Sequence, residues 1–229
     1  MIALFHYHTG ECYIMNFLNF FSIAEWIGTV SFAISGVMAA REYHMDVFGA
    51  VVLGCATAVG GGMIRDLILG VNPPMMFRNP SYVLISFIAS LISFFLLYHH
   101  VERHDFMILH QEQTERILNI TDSLGLAVFV VVGCRTAMDA GYSEHCFLCC
   151  FVGVVTGIGG GILRDMMAGQ MSIIMRKRVY GVAAILGAIS YVYLIAFGVS
   201  ELAASVVSML LTCLIRFLAI HFRWNLPCI

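Results

Sequence analysis

The chain has 229 residues, 60% of them hydrophobic and only 11% charged, with a formal net charge of -2. Soluble domains carry about 25% charged residues, so a mean hydropathy of +0.90 excludes a soluble enzyme and a disordered tail. The charge balance supplies no field to neutralise phosphates, which excludes a nucleic-acid binder.

A membrane-spanning helix takes roughly 20 mostly apolar residues. Seven segments qualify, in chain order 21–40, 47–69, 82–98, 120–138, 146–168, 180–197 and 202–220. The runs are too continuous for barrel strands, so the fold class is an all-α integral membrane protein with seven transmembrane helices. Residues 1–20 form an extracellular N-terminal segment. No Lys or Arg precedes the first span, which is therefore read as retained rather than cleaved. The one long polar stretch, 100–119, reads as a solvated cytoplasmic linker between halves 21–99 and 120–198. Residues 199–229 hold the seventh helix and tail. With the N-terminus outside, the inner side collects Arg41, Arg103, Arg116, Arg176, Lys177, Arg178, Arg216 and Arg223. The outer side holds only Arg78 and Arg135. The positive-inside rule then puts the C-terminus in the cytoplasm. The cysteines fall mostly within spans and read as small apolar residues rather than a disulfide framework.

The chain repeats itself. Gly60-Gly61-Gly62-Met63-Ile64-Arg65-Asp66 recurs 99 residues later as Gly159-Gly160-Gly161-Ile162-Leu163-Arg164-Asp165. The same offset aligns Gly54 with Gly153, Thr57 with Thr156 and Gly70 with Gly169. Upstream, Glu25 matches Asp122 and Gly36 matches Gly133; downstream, Tyr82 lies near the register of Tyr180. Each unit has three spans, an odd number, so the second enters the membrane from the opposite face. An inverted repeat of this kind is a transporter and channel architecture, with its site near the midplane.

Three adjacent glycines permit a kink or an unwound turn in the second and fifth spans. Freed carbonyls there could coordinate a cation; the alternative is close helix packing. The hydroxyls of Thr57 and Thr156, one turn earlier, could ligate an ion or bond back to the helix. Arg65 and Arg164 are costly within a membrane and need partners. Adjacent residues on a helix point about 100° apart. The expected pairs therefore cross the pseudo-twofold, Arg65 with Asp165 and Arg164 with Asp66, either gating conduction or holding the repeats in register. Glu25 and Asp122 read as N-caps or interfacial acids. His145, Cys146, Cys149 and Cys150 have metal-ligand spacing but no counterpart in the first repeat, and His6, His8 and Cys12 lack fixed geometry, so no metal is expected. No Walker lysine, dinucleotide-binding context or nucleophile–base pair is present. No cofactor and no enzymatic activity are expected.

Two Gly-Gly-Gly-x-x-Arg-Asp helices in a seven-span chain of this size resemble the trimeric intracellular cation channel (TRIC) family, whose prokaryotic branch is also called the glycine transporter domain or UPF0126 family. The resemblance covers roughly 23–220. It implies a 3+3 inverted repeat plus a seventh helix, assembled as a homotrimer in a bacterial plasma membrane. It implies a pore within each protomer, bounded by second and fifth helices kinked at Gly60, Gly61 and Gly62 and at Gly159, Gly160 and Gly161. The implied activity is passive conduction of monovalent cations, chiefly potassium, with sodium also passing. The family's basic and acidic positions fall on Arg65, Asp66, Arg164 and Asp165. Ser172 stands where the first repeat has proline, so the loop after the fifth span departs from the pattern. No lysine-rich phosphoinositide segment is evident. A small zwitterion such as glycine, moved by alternating access, is the alternative cargo.

Overall fold

The computed structural model describes residues 7–103, 107–170, 179–222 and 224. The elements are α1 (Tyr7–Glu42), α2 (Val47–Ile68), a one-turn α3 (Met75–Arg78), α4 (Ser81–Arg103), α5 (Met107–Ala137), a π-helical turn (Met138–Tyr142), α6 (Cys146–Met167), α7 (Val179–Ala196) and α8 (Glu201–His221). No strand occurs among the described residues. Seven of these helices are long and apolar enough to cross a membrane, at the positions the hydropathy runs mark.

Helix ends differ more than helix cores. Hydropathy locates the part of a helix that sits in lipid, not where the helix starts. α1 begins at Tyr7 and α5 at Met107, so most of the polar stretch between the halves is helical, with Gln113, Glu115 and Arg116 exposed. Arg41 at the end of α1 donates from Nη1 to Thr114 Oγ1 at 2.5 Å. Glu25 and Asp122 consequently lie well inside α1 and α5 rather than at N-caps. α2 does carry a side-chain cap, Asp46, which accepts from Gly49 N at 2.7 Å, satisfying a free amide of its first turn. His6, Ser172 and the Arg176-Lys177-Arg178 run lie outside the described residues, as do the side chains of His8 and Cys12.

The repeat is visible as packing. Within the first unit, α1 packs on α2 and α4, and α2 on α4; within the second, α5 packs on α6 and α7, and α6 on α7. Between units like meets like, α1 on α5 and α2 on α6. Phe32 and Phe129, separated by the same 97 residues as Glu25 and Asp122, stack on each other with ring centroids 5.3 Å apart. A residue that touches its own counterpart lies on the pseudo-twofold. The ends of α2 and α6 also match. Gly70 (φ 70) and Gly169 (φ 69) adopt left-handed backbone. Val71 N then bonds Asp66 O, and Gln170 N bonds Asp165 O, each at 2.8 Å. This closure satisfies the last carbonyls of each helix. α8 has no counterpart and packs on α5 and α7 of the second unit. On α4, Leu84, Phe87, Ile88, Ile92, Phe95 and Leu96 are exposed, as expected of a surface solvated by lipid tails.

Candidate functional site

The two triglycines meet at one crossing. A Cβ on Gly61 would overlap the carbonyl oxygen of Thr156, and one on Gly160 would overlap that of Thr57. These reciprocal contacts mean that α2 and α6 run antiparallel and touch backbone to backbone. Gly36 against Gly54 and Gly133 against Gly153 repeat the theme one layer out. A Cβ on Gly36 or Gly133 would stand 2.6 or 2.8 Å from the facing glycine Cα. No unwound turn forms: α2 and α6 stay helical through the glycines, so missing side chains serve close approach here, not exposed carbonyls. Thr57 and Thr156 are buried and donate back to Leu53 O and Val152 O, each at 2.6 Å.

The same crossing overturns the expected cross-repeat ion pairs. Arg65 and Arg164 lie four residues beyond the crossing on antiparallel helices, so they diverge by about 12 Å along the axis. Each guanidinium instead folds back onto its own neighbour. Arg65 Nε donates to Asp66 Oδ1 at 2.8 Å, and Arg164 Nε to Asp165 Oδ1 at 2.9 Å. A 100° offset is no barrier for so long a side chain.

On the first-repeat side, Glu25, Gly62, Arg65, Asp66, Tyr82 and Val132 help line a cavity of about 120 Å³ between α1, α2, α4 and α5. Asp66 is spoken for twice, by Arg65 and by Met75 N at 2.7 Å, which anchors α3. Glu25 is half-buried and accepts from the Tyr82 hydroxyl. Among the described residues no cationic nitrogen forms a salt bridge with it. The cavity therefore holds one carboxylate beyond what its arginine offsets.

The second-repeat counterpart is filled. Asp122, Arg164, Arg216 and Tyr180 are each at most 2% exposed. Arg164 Nη1 meets Asp122 Oδ1 at 2.8 Å and also donates to Ser35 Oγ. From α8, Arg216 places its guanidinium 4.5 Å from the Tyr180 ring centroid and 3.9 Å from Asp122 Oδ2, and donates from Nε to Ser123 Oγ at 3.3 Å. Gly161 gives these polar groups room, since a Cβ there would lie 3.3 Å from Tyr180 Oη and 3.7 Å from Asp122 Oδ1. Arg216, counted in the sequence with the inner loops, is thus a buried partner rather than a topological anchor. A third cluster ties the far end of α5 to α8, with Arg135 over the Phe21 ring at 3.8 Å and Arg135 Nε 2.7 Å from Glu201 Oε1.

The structure brings together Gly60, Gly61 and Gly62 with Gly159, Gly160 and Gly161, and Thr57 with Thr156, at the crossing. It separates the Arg65–Asp66 pair from the Arg164–Asp165 pair. Glu25, Tyr82, Asp122, Tyr180 and Arg216 complete the two clusters. Their signal in the sequence was the repeat itself, which matches Glu25 to Asp122 and Tyr82 to Tyr180, and an ionisable residue inside the seventh span. The six cysteines whose side chains are described are free, and no group of three metal-ligand side chains occurs among the described residues.

The architecture defines a multi-pass membrane protein built from an inverted repeat with two unequal polar clusters. A family model described as glycine transporter matches residues 22–98 and 119–196, the two repeats. The chain is 37% identical over 206 residues to the UPF0126 inner membrane protein YadS of Escherichia coli, covering 88% of this chain and 92% of the relative. It is similar to the TRIC trimeric intracellular cation channel orthologue from Rhodobacter sphaeroides, with 32% identity, a TM-score of 0.78 and coverage of 89% and 98%. It is also similar to a TRIC cation channel solved for the structural basis of conductance, with 33% identity, a TM-score of 0.76 and coverage of 91% and 96%. The chain belongs to the glycine transporter (UPF0126) family, and its fold is that of the TRIC channels.

Proposed function

We propose that the chain is a passive channel for monovalent cations, chiefly potassium with sodium also passing, in a bacterial plasma membrane. The observation that carries this is the half-buried Glu25 carboxylate in the first-repeat cavity, with no salt bridge to it among the described residues. A carboxylate in a low-dielectric cleft raises the local cation concentration. The similarity to TRIC cation channels supports the same reading. With the N-terminus outside and the C-terminus cytoplasmic, the cavity opens toward the exterior and the Asp122–Arg164–Arg216 cluster lies toward the cytoplasm. The closed route ends at the glycine crossing, so conduction requires α2 and α6 to shift against each other there. Each protomer holds both half-sites and forms its own pore in a homotrimer.

Planar-bilayer recording of the purified protein in a potassium gradient tests this. Current steps reversing near the potassium equilibrium potential are expected. A silent bilayer together with saturable glycine uptake into vesicles would replace the channel by an alternating-access carrier.

A further inference from the structure

The two halves answer the same receptor geometry in different ways. In the second repeat, a carboxylate (Asp122) and a tyrosine ring (Tyr180), both facing Gly161, meet a guanidinium that the chain itself supplies from α8. Arg216 lies 3.9 Å from Asp122 Oδ2 and 4.5 Å from the Tyr180 ring centroid. In the first repeat, the matched carboxylate (Glu25), tyrosine (Tyr82) and glycine (Gly62) line a cavity of about 120 Å³, and a Cβ on Gly62 would meet nothing closer than Arg65 Nη2 at 3.8 Å. No helix matched to α8 covers this half, so no residue corresponds to Arg216.

We propose that the first-repeat cavity is a binding site for small guanidinium-type cations, which dock there as Arg216 docks in the second repeat. The chemistry favours this class over a bare alkali ion. A guanidinium is planar and weakly hydrated, pairs with carboxylates through parallel hydrogen bonds and stacks on aromatic faces. Arg65 also lines the cavity but is paired with Asp66, and the walls at Ala58, Val59 and Phe129 are apolar, which suits a cation that sheds its water cheaply. A water takes up roughly 30 Å³ of liquid, so the cavity accommodates a small organic cation. Occupancy places a blocker at the mouth of the route that potassium enters. The inference rests on the cavity being a cation-attracting vestibule and does not require that ions pass beyond it.

The test is saturation-transfer NMR of methylguanidinium with the purified full chain in detergent, at ionic strength held constant with potassium chloride. The wild type is expected to show saturable transfer that weakens at least tenfold in Glu25→Gln. Thr136→Phe, which fills the cavity but keeps the carboxylate, is expected to lose it as well. Asp46→Asn, a change of the same charge at the far end of α2, is expected to retain it. No saturable transfer to the wild type overturns the proposal, as does equal transfer to Glu25→Gln or equal loss in Asp46→Asn. Potassium flux of the same preparation in liposomes separates the two readings. Binding without flux upholds this site and removes the channel, whereas flux without binding removes this site and upholds the channel.

Discussion

Alanine placed at each glycine of the first triplet separates close packing from flexibility, because the three neighbours have different surroundings. At Gly61 the added Cβ falls onto the Thr156 carbonyl oxygen, a backbone atom that cannot swing aside. Carbon–oxygen contacts settle near ~3.3–3.6 Å, so α2 and α6 must move apart by about an ångström. Overpacking of this kind costs about 1–3 kcal/mol. Alanine returns about 1 kcal/mol of helix propensity over glycine, so Gly61→Ala is expected to lose up to about 2 kcal/mol. At Gly62 the nearest atom is Arg65 Nη2 at 3.8 Å, an ordinary contact. Gly62→Ala keeps the propensity gain and is expected to be neutral or stabilised by up to about 1 kcal/mol. For a chain of this size each kcal/mol moves a melting midpoint by about 2–4 °C, so the two variants should melt several degrees apart in detergent. Gly160→Ala should behave as Gly61→Ala does. The double variant should cost less than the sum, since one separation relieves both overlaps. If Gly62→Ala melts as low as Gly61→Ala, the glycines are needed for backbone freedom and the crossing argument is wrong.

Asp122→Asn leaves Arg164 and Arg216 sharing one less acid in a sealed site and is expected to lose about 3–5 kcal/mol; adding Arg216→Met should recover part of it, measured by the same melts. Glu25→Gln should lower potassium conductance more in dilute salt than in about 1 M salt, where the Debye length shrinks to ~3 Å; an equal fall at both would remove Glu25 from ion attraction. Phe32→Ala opens a void on the pseudo-twofold and is expected to cost about 3–5 kcal/mol, with Phe129→Ala giving a similar drop in melting midpoint. Cys146 is exposed at the start of α6 whereas Cys134 and Cys149 are buried. In intact cells a membrane-impermeant maleimide should label Cys146 from outside, and labelling only after lysis would reverse the proposed orientation.

The spans and the repeat were legible because both are one-dimensional signals, a run of apolar residues and a recurrence at constant offset. The ion pairs were not, since they depend on where two helices cross. Arg65 and Asp165 look complementary on paper, yet the contact at Gly61 and Gly160 sends them in opposite directions. Glu25 and Asp122 were misplaced at helix starts because α1 and α5 continue N-terminally into residues that lipid does not select. Arg216 carries the same lesson. Its neighbours are polar only once α8 packs on α5 and α7, and a tally of loop charges has no means of seeing that.

Contacts in which Gly61 meets Thr156 and Gly160 meets Thr57, with Phe32 on Phe129 between them, have the form of an isologous interface between two identical three-helix proteins inserted in opposite directions. Before fusion, every substitution in such an ancestor would strike both faces of the membrane at once, and neither half could specialise. Two copies joined in one chain are free of that constraint. The seventh helix is where the two halves differ: it supplies Arg216 to one of them, and the other keeps a cavity in the matching place.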